Sequence, residues 1–462
     1  MSDRPAVPGI PGASGVSGAS GVSGRANGRS DGRSGSGTES GAADRADGHA
    51  DGLTDGHADG LTDGRADGRA DGRRALEAAM RDRIGQECLH VPSARFGLLL
   101  ALRHWFRRGD RVLISPTNCE TVLFVVLAAG LEPVMAPVSW RDGNIDVPAV
   151  DWTGLAGVVT THLYGQPDRV TELRAECDRR GVLLLDDAAH AMQTIVDGRP
   201  AGTFGTAGVF SLAKHGRAMS GGFLTAEDPA ALPELARARD ELLLPGGARA
   251  QLLGTLRPVL RETIYRTGLV RPMWHALKAL GLVRWTGHRC PPREEELRAI
   301  VAADPVDPRA MDHWLRIDLD DWRMRQGPLL RGYHRSRFRV IDRERERRVA
   351  GVELLRTLPW AAEGVRDAAP QPLLRVPLLV EDRDEVVARL ESRGVVPGFI
   401  YDPPLDDYLD LVPPGPTPEI ARWWTGHVLP VDPLRAARMA GLLAELDVRP
   451  ATRPSTASRQ PG

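Results

Sequence analysis

The sequence predicts an α/β fold, with a large domain on a mostly parallel sheet and a smaller C-terminal α+β domain. Three observations support this. From residue 75 onward, short apolar runs alternate with segments of helical period. One of those runs, Gly181-Val182-Leu183-Leu184-Leu185, leads into paired carboxylates, Asp186 and Asp187. Another, Ala207 to Leu212, is followed by a lysine, Lys214, among small residues and then by Gly221-Gly222.

Taken in order, a helix is expected from about Ala75, and a turn at Ser93 opens a second one reaching Phe106. Strands are expected at 111–114, 132–136, 157–161 and 182–185, with helices at 122–129 and 170–180 between them. Lys214 then falls on the loop leaving the 207–212 strand, and the glycine pair makes a tight turn into a strand at Phe223-Leu224. Helices dominate from Ala231 to about Arg348. After them come a strand at 374–380, a helix at 382–393, a strand at 396–401 and a closing helix at 433–446. The expected organisation is a disordered low-complexity tail (1–74), a large domain (75–330) with a helical insert at about 231–330, a small domain (331–449) and a disordered end (450–462). The tail is almost free of large apolar side chains and repeats a four-residue unit from Ala46 to Arg73, so it cannot offset its chain entropy by burial.

Chemistry concentrates between residues 185 and 225. Ligands of open α/β sheets bind where loops leave the carboxyl ends of strands, and a carboxylate there can meet a cationic ring nitrogen. Lysine becomes nucleophilic near neutral pH when it is desolvated or placed near other cations, which a small-residue pocket closed over an aromatic ring would achieve.

The 462 residues carry 60 basic and 61 acidic side chains, which gives no electrostatic case for nucleic acid. The Arg-rich run 331–348 is interleaved with acids and reads as a solvated helix face. Cys88, Cys119, Cys177 and Cys290 lack metal-ligand spacing, so no metal is expected and a reducing cytoplasm fits. No apolar stretch has the length of a membrane span or a signal-peptide core. The segment 256–285 mixes Trp, Arg and Lys at helical spacing; it reads as amphipathic helices covering the site or a dimer surface, with a membrane face or greasy substrate as the second reading.

From Leu183 to Thr225 the chain resembles the sugar aminotransferases of the DegT/DnrJ/StrS type. The resemblance rests on Asp186-Asp187-Ala188-Ala189-His190-Ala191, then Gly202, Gly205, Gly208, Phe210 and Ser211, then Lys214 eight residues before Gly222. His162-Leu163-Tyr164-Gly165-Gln166 upstream and Tyr401-Asp402-Pro403-Pro404-Leu405 downstream are similar to further motifs of that family. The resemblance implies fold type I, the fold of aspartate aminotransferase-like enzymes that depend on pyridoxal 5'-phosphate (PLP). It implies a homodimer with a shared site, in which glutamate or glutamine donates an amino group to a keto sugar or related ketone. Carried over by position, Lys214 would hold the cofactor covalently and move protons, and Asp187 would pair with the pyridinium nitrogen. His190 would lie near the ring's 3-hydroxyl. Ser211 and the Ser93-Ala94-Arg95 turn would hold the phosphate, the turn using a helix N-terminus. His162, Tyr164 and Tyr401 would line the substrate pocket.

The departures mark a divergent member. The loop from Ser211 to Lys214 is two residues shorter than the family's usual spacing, Thr117-Asn118-Cys119 stands where an aromatic residue normally stacks on the ring, and the family's Asn-Tyr-Arg-Met becomes Asp321-Trp322-Arg323-Met324. Because Lys214 is retained ahead of His215, transamination is favoured over the dehydration of family members that carry histidine in its place. A PLP lyase, cyclase or condensing enzyme is the alternative within the enzyme class, and a catalytically weak PLP-binding partner or regulator is the alternative outside it.

Overall fold

Burial on both faces turns the apolar runs into strands in the computed structural model, which describes residues 59–247, 249, 252–257, 260, 263, 289, 291–316, 322–395 and 397–454. The large-domain strands are β1 (Cys88–Val91), β2 (Arg111–Ile114), β3 (Glu132–Met135), β4 (Leu155–Thr161), β5 (Leu183–Ala188), β8 (Ala207–Ser211) and β9 (Gly222–Ala226). A two-stranded hairpin, β6 (Ile195–Val196) with β7 (Arg199–Pro200), stands apart from them. The seven pair in the order β1-β9-β8-β5-β4-β2-β3. Those from β3 to β8 are parallel to their neighbours, whereas β9 returns antiparallel to β8 and β1 pairs antiparallel with β9.

Helices cover both faces. On one side α2 (Ala94–Trp105) and α3 (Glu120–Ala128) pack with Val112, Ile114, Val209 and Leu224; every residue of α3 from Thr121 to Ala128 is buried, as befits a helix apolar all round. On the other, α4 (Val170–Arg180) covers Val158 and Leu184 and stops at Gly181, whose φ of 67° supplies the left-handed cap. The insert contributes α5 (Leu232–Leu242), α6 (Glu294–Ala302) and α7 (Asp312–Leu315). A third cluster joins α1 (Asp59–Ile84) to the long helix α8 (Pro328–Arg356) through Leu76, Met80, Phe338 and Ile341.

The C-terminal α+β part places β10 (Val376–Leu379) antiparallel to β11 (Val428–Val431), packed by α10 (Arg383–Ser392), α12 (Pro418–His427) and α13 (Ala436–Glu445); the short helices α9 (Glu363–Asp367) and α11 (Leu405–Tyr408) lie in its connections. Gly351 of α8 lies so close to this part that a Cβ there would collide with the Pro433 carbonyl.

Several expected boundaries move. Residues 57–462 cluster as one compact unit, and the expected boundary at 330/331 falls inside the first turn of α8. The first helix begins at Asp59, sixteen residues before Ala75, because adding turns to a helix already anchored by Leu76 and Met80 avoids the cost of nucleation. Residues 1–58 and 455–462 lie outside the described residues, as do Asp321 and nearly all of 256–285. Residues 450–452 are tied to the small domain: Pro450 bridges Val380, the Ala451 N–H donates to Leu379 O, and Thr452 bonds Glu381. Of the strand expected at 396–401, residue 396 lies outside the described residues and 397–401 form no strand. Pro397 lacks the N–H a ladder needs, and β11 takes the place beside β10.

Candidate functional site

The paired carboxylates do different work because alternate strand residues point to opposite faces. β5 continues to Ala188, so both acids lie within the strand and not beyond its end. Asp186 is enclosed: His162 Nε2 donates to Oδ1 at 2.8 Å, and the Gly202 and Phe204 N–H groups donate to Oδ2 at 2.8 and 3.1 Å. Asp187 has a single donor among the described residues, the Ala189 N–H at 2.9 Å to Oδ1. Burial pushes its pKa up to about 6, against the pull of the Ala189 N–H, His162 and Lys214. Of the pair, only Asp187 keeps a carboxylate oxygen unspent within the described residues.

Lys214 sits on the loop of the β8–β9 hairpin, a turn held by Leu212 N–H to Gly221 O at 3.0 Å and Ala218 N–H to Leu212 O at 3.1 Å. Its ammonium lies 5.3 Å from the centre of the Phe399 ring. Its charge works against the burial that raises the pKa of Asp187 and of Cys119, and adds to the burial that lowers that of His190. His215 turns away: its buried ring donates from Nε2 to His190 O at 2.9 Å, and burial drives its pKa down to about 3. That bond pins the lysine loop to the segment leaving β5.

The third part is a backbone cradle. Ser93 caps α2, its Oγ accepting the Phe96 N–H at 3.3 Å and donating to Trp322 O at 3.2 Å, so its hydroxyl is already committed. The first-turn amides at Ala94 and Arg95 have no intrahelical carbonyl to meet, as at every helix start. A Cβ on Gly222 would come within 2.7 Å of the Ala94 nitrogen, and Gly222 pairs with Ser211 across the hairpin. Helix start, glycine and serine therefore meet at one place, a cradle that a side chain at 222 would fill. The donor set fits a phosphate. Among the described residues, no group of three or more His, Cys, Asp or Glu side chains is disposed to hold a metal ion.

His190, Tyr164 and Tyr401 form a three-ring cluster, with every pair of ring centres 5.9 to 6.5 Å apart and planes within 23°. The Tyr164 N–H donates to His190 Nδ1 at 3.2 Å, and burial keeps the imidazole neutral, so Nε2 carries the proton. Cys119, in the segment that departs from the family's stacking aromatic, is the N-cap of α3. His162 is not a pocket residue: it is fully buried, with Nδ1 accepting the Asp168 N–H at 3.0 Å and Nε2 on Asp186, so its substrate role is replaced by that of a prop for Asp186. Sequence reasoning missed Phe399, 67% exposed yet over the lysine, because nothing in the residues around it marks a loop folded back from the small domain.

The strand order with its one reversed strand, and a hairpin lysine near a carboxylate of the central strand, define a fold type I α/β protein. A profile of the DegT/DnrJ/EryC1/StrS aminotransferase family matches residues 66–248. GDP-perosamine synthase of Vibrio cholerae is 28% identical over 28% of this chain and 33% of its own. The erythromycin biosynthesis sensory transduction protein EryC1 of Saccharopolyspora erythraea is 28% identical over 71% of this chain and 75% of its own. The crystal structure of the aminotransferase TlmJ from Streptoalloteichus hindustanus superposes with a TM-score of 0.55 at 19% identity, covering 86% of this chain and 98% of that one. Residues 66–248 thus carry the pattern of the DegT/DnrJ/EryC1/StrS aminotransferase family, and the chain is similar to members of it. It spans about a third of the length of three of the curated relatives it matches.

Proposed function

We propose that the chain is a PLP-dependent aminotransferase that moves an amino group from glutamate or glutamine to a keto sugar or related ketone in specialised metabolism. The observation that carries this reading is the convergence of Lys214, the half-engaged Asp187 and the Ser93–Gly222–Ser211 cradle in one place. A relative described as L-glutamine:2-deoxy-scyllo-inosose aminotransferase, 29% identical over 34% of this chain, supports donor and acceptor class alike.

When bound, the cofactor supplies an aldehyde for the amine and an electron-withdrawing ring that stabilises negative charge at the adjacent carbon. Lys214 Nζ would be its covalent tether and the base that takes the proton from the donor's Cα. Asp187, ionised above its pKa of about 6, holds a proton on the ring nitrogen. The cradle amides and Ser211 would hold the phosphate, and His190, with its proton on Nε2, would serve the ring hydroxyl. His215 is a poor pocket base, since burial drives its pKa down to about 3 and its ring is turned towards His190 O; this favours amination over dehydration. As in the family expectation, the working unit is a homodimer in the cytoplasm, acting on small molecules. No helix among the described residues is long and apolar enough to cross a membrane.

An absorbance scan of the purified, PLP-loaded chain tests the proposal. A visible cofactor band that bleaches on adding glutamate or glutamine, and is missing in Lys214→Ala, supports a transaminase. A band indifferent to amino donors, or full turnover by Lys214→Ala, refutes it.

A further inference from the structure

An amino-acid donor brings at least one carboxylate into the pocket, and a carboxylate entering a low-dielectric cleft needs a cation with donors to spare. The guanidinium groups of Arg383, Arg289 and Arg375 act on the Tyr164 hydroxyl. Two of them are enclosed. Arg289 is held by Glu120, Pro403 O and Tyr401 O with its side chain 1% exposed, and Arg383 by Asp384, Asp402 and Thr425 O at 2%.

Arg375 differs on every count. It precedes β10, its N–H donates to Tyr164 O at 3.0 Å, and its side chain is 29% exposed. Nη1 donates to Leu374 O at 2.9 Å and lies 3.4 Å from Asp432, whereas Nη2 makes no hydrogen bond among the described residues. Asp432 is itself divided, with Arg348 at 3.6 Å and the Leu434 N–H at 3.1 Å, so Arg375 has only a share of one carboxylate. Its place relative to the lysine is also fixed. A Cβ on Gly398 would sit 2.9 Å from Arg375 Nε, and the next residue, Phe399, lies over Lys214 Nζ. The charge of Arg375 acts, with that of Lys214, on buried His190.

We infer that Arg375 is the docking point for the carboxylate of the amino donor. Its free Nη2 edge receives the anion while Phe399 and Lys214 flank the amine. The assignment rests on the aminotransferase reading, and it gives the pocket a specificity element contributed by the small domain. Arg348 steadies it through Asp432 and, via Glu344 at 3.1 Å and Arg217 at 2.8 Å from that carboxylate, links it to the lysine hairpin.

The test uses the PLP-loaded full chain and Arg375→Gln, with Arg375→Lys as a charge-retaining control. Binding of glutarate, a dicarboxylate that cannot react, is read by calorimetry, and bleaching of the cofactor band is followed with glutamate and with its α-amide, isoglutamine. Glutarate should bind Arg375→Gln at least tenfold more weakly, Arg375→Lys should recover part of the loss, and the parent's preference for glutamate over isoglutamine should collapse in Arg375→Gln. Unchanged glutarate affinity, or a retained preference, overturns the assignment. A parent that forms no cofactor band fails the aminotransferase reading instead, so the two failures are told apart.

Discussion

Gly222 lies directly against Ala94: a Cβ added to the glycine would come within 2.7 Å of the Ala94 nitrogen and equally near the Phe210 carbonyl oxygen. Both contacts are backbone, so no side chain can swing aside. Gly222→Ala should therefore push the start of α2 away from the hairpin, at a cost of about 1–3 kcal/mol for overpacking. PLP affinity should fall more than tenfold, measured by fluorescence quenching of the apo chain. Unchanged affinity would remove the cradle from the phosphate's binding set.

Asp187 stores instability for the sake of chemistry. Its pKa is about 6 in the fold against an ordinary 3.8, so between pH 4 and 6 the native state binds more protons than the unfolded chain, and stability falls as pH rises through that window. Above pH 6 the burial of the charge costs its full amount, about 3 kcal/mol. Asp187→Asn keeps the shape and the oxygen that accepts the Ala189 N–H. In urea unfolding of the apo chain it should be the more stable protein at pH 7 by up to that amount, with the gap closing towards pH 4, while turnover is lost. Parallel stability curves would show that the carboxylate is not held under strain.

Phe399 is 67% exposed, so its removal should cost little stability, within about 0.5 kcal/mol for a surface side chain. Its ring nonetheless lies 5.3 Å from the Lys214 ammonium, a contact of about 0.5–1 kcal/mol at an exposed site. Phe399→Ala should keep its thermal midpoint but lose two- to fivefold in the rate at which glutamate bleaches the cofactor band. A full rate would make the ring incidental.

What could be read from the residues alone was mainly what is local. The strands at 111–114, 132–135 and 207–211 announced themselves as apolar runs, and the order of Asp187, Ser211, Lys214 and Gly222 along the chain was enough to align them with a family pattern. β1 escaped because Cys88-Leu89-His90-Val91 has neither length nor alternation, and it is fixed by pairing with β9 more than 130 residues away. The separate duties of Asp186 and Asp187 were hidden as well, since they depend on donors from Gly202 and Phe204 brought in by tertiary folding. Arg375 and Phe399 belong to the same class: only the return of the small domain over the hairpin gives them meaning.

His162 supplies the sharpest separation between a structural and a substrate role. It is fully buried, as is the side chain of Asp186 to which it donates at 2.8 Å, and its other nitrogen accepts the Asp168 N–H. His162→Ala leaves a buried carboxylate short of a donor, which is the expensive way to break a buried pair, at about 3–5 kcal/mol. The urea midpoint should drop accordingly, and Asp186→Asn on top of it should recover part of the loss, because the uncompensated charge is then gone. The fraction that remains folded should bind glutarate with parental affinity. A weakened affinity with an unchanged midpoint would instead return His162 to the substrate pocket.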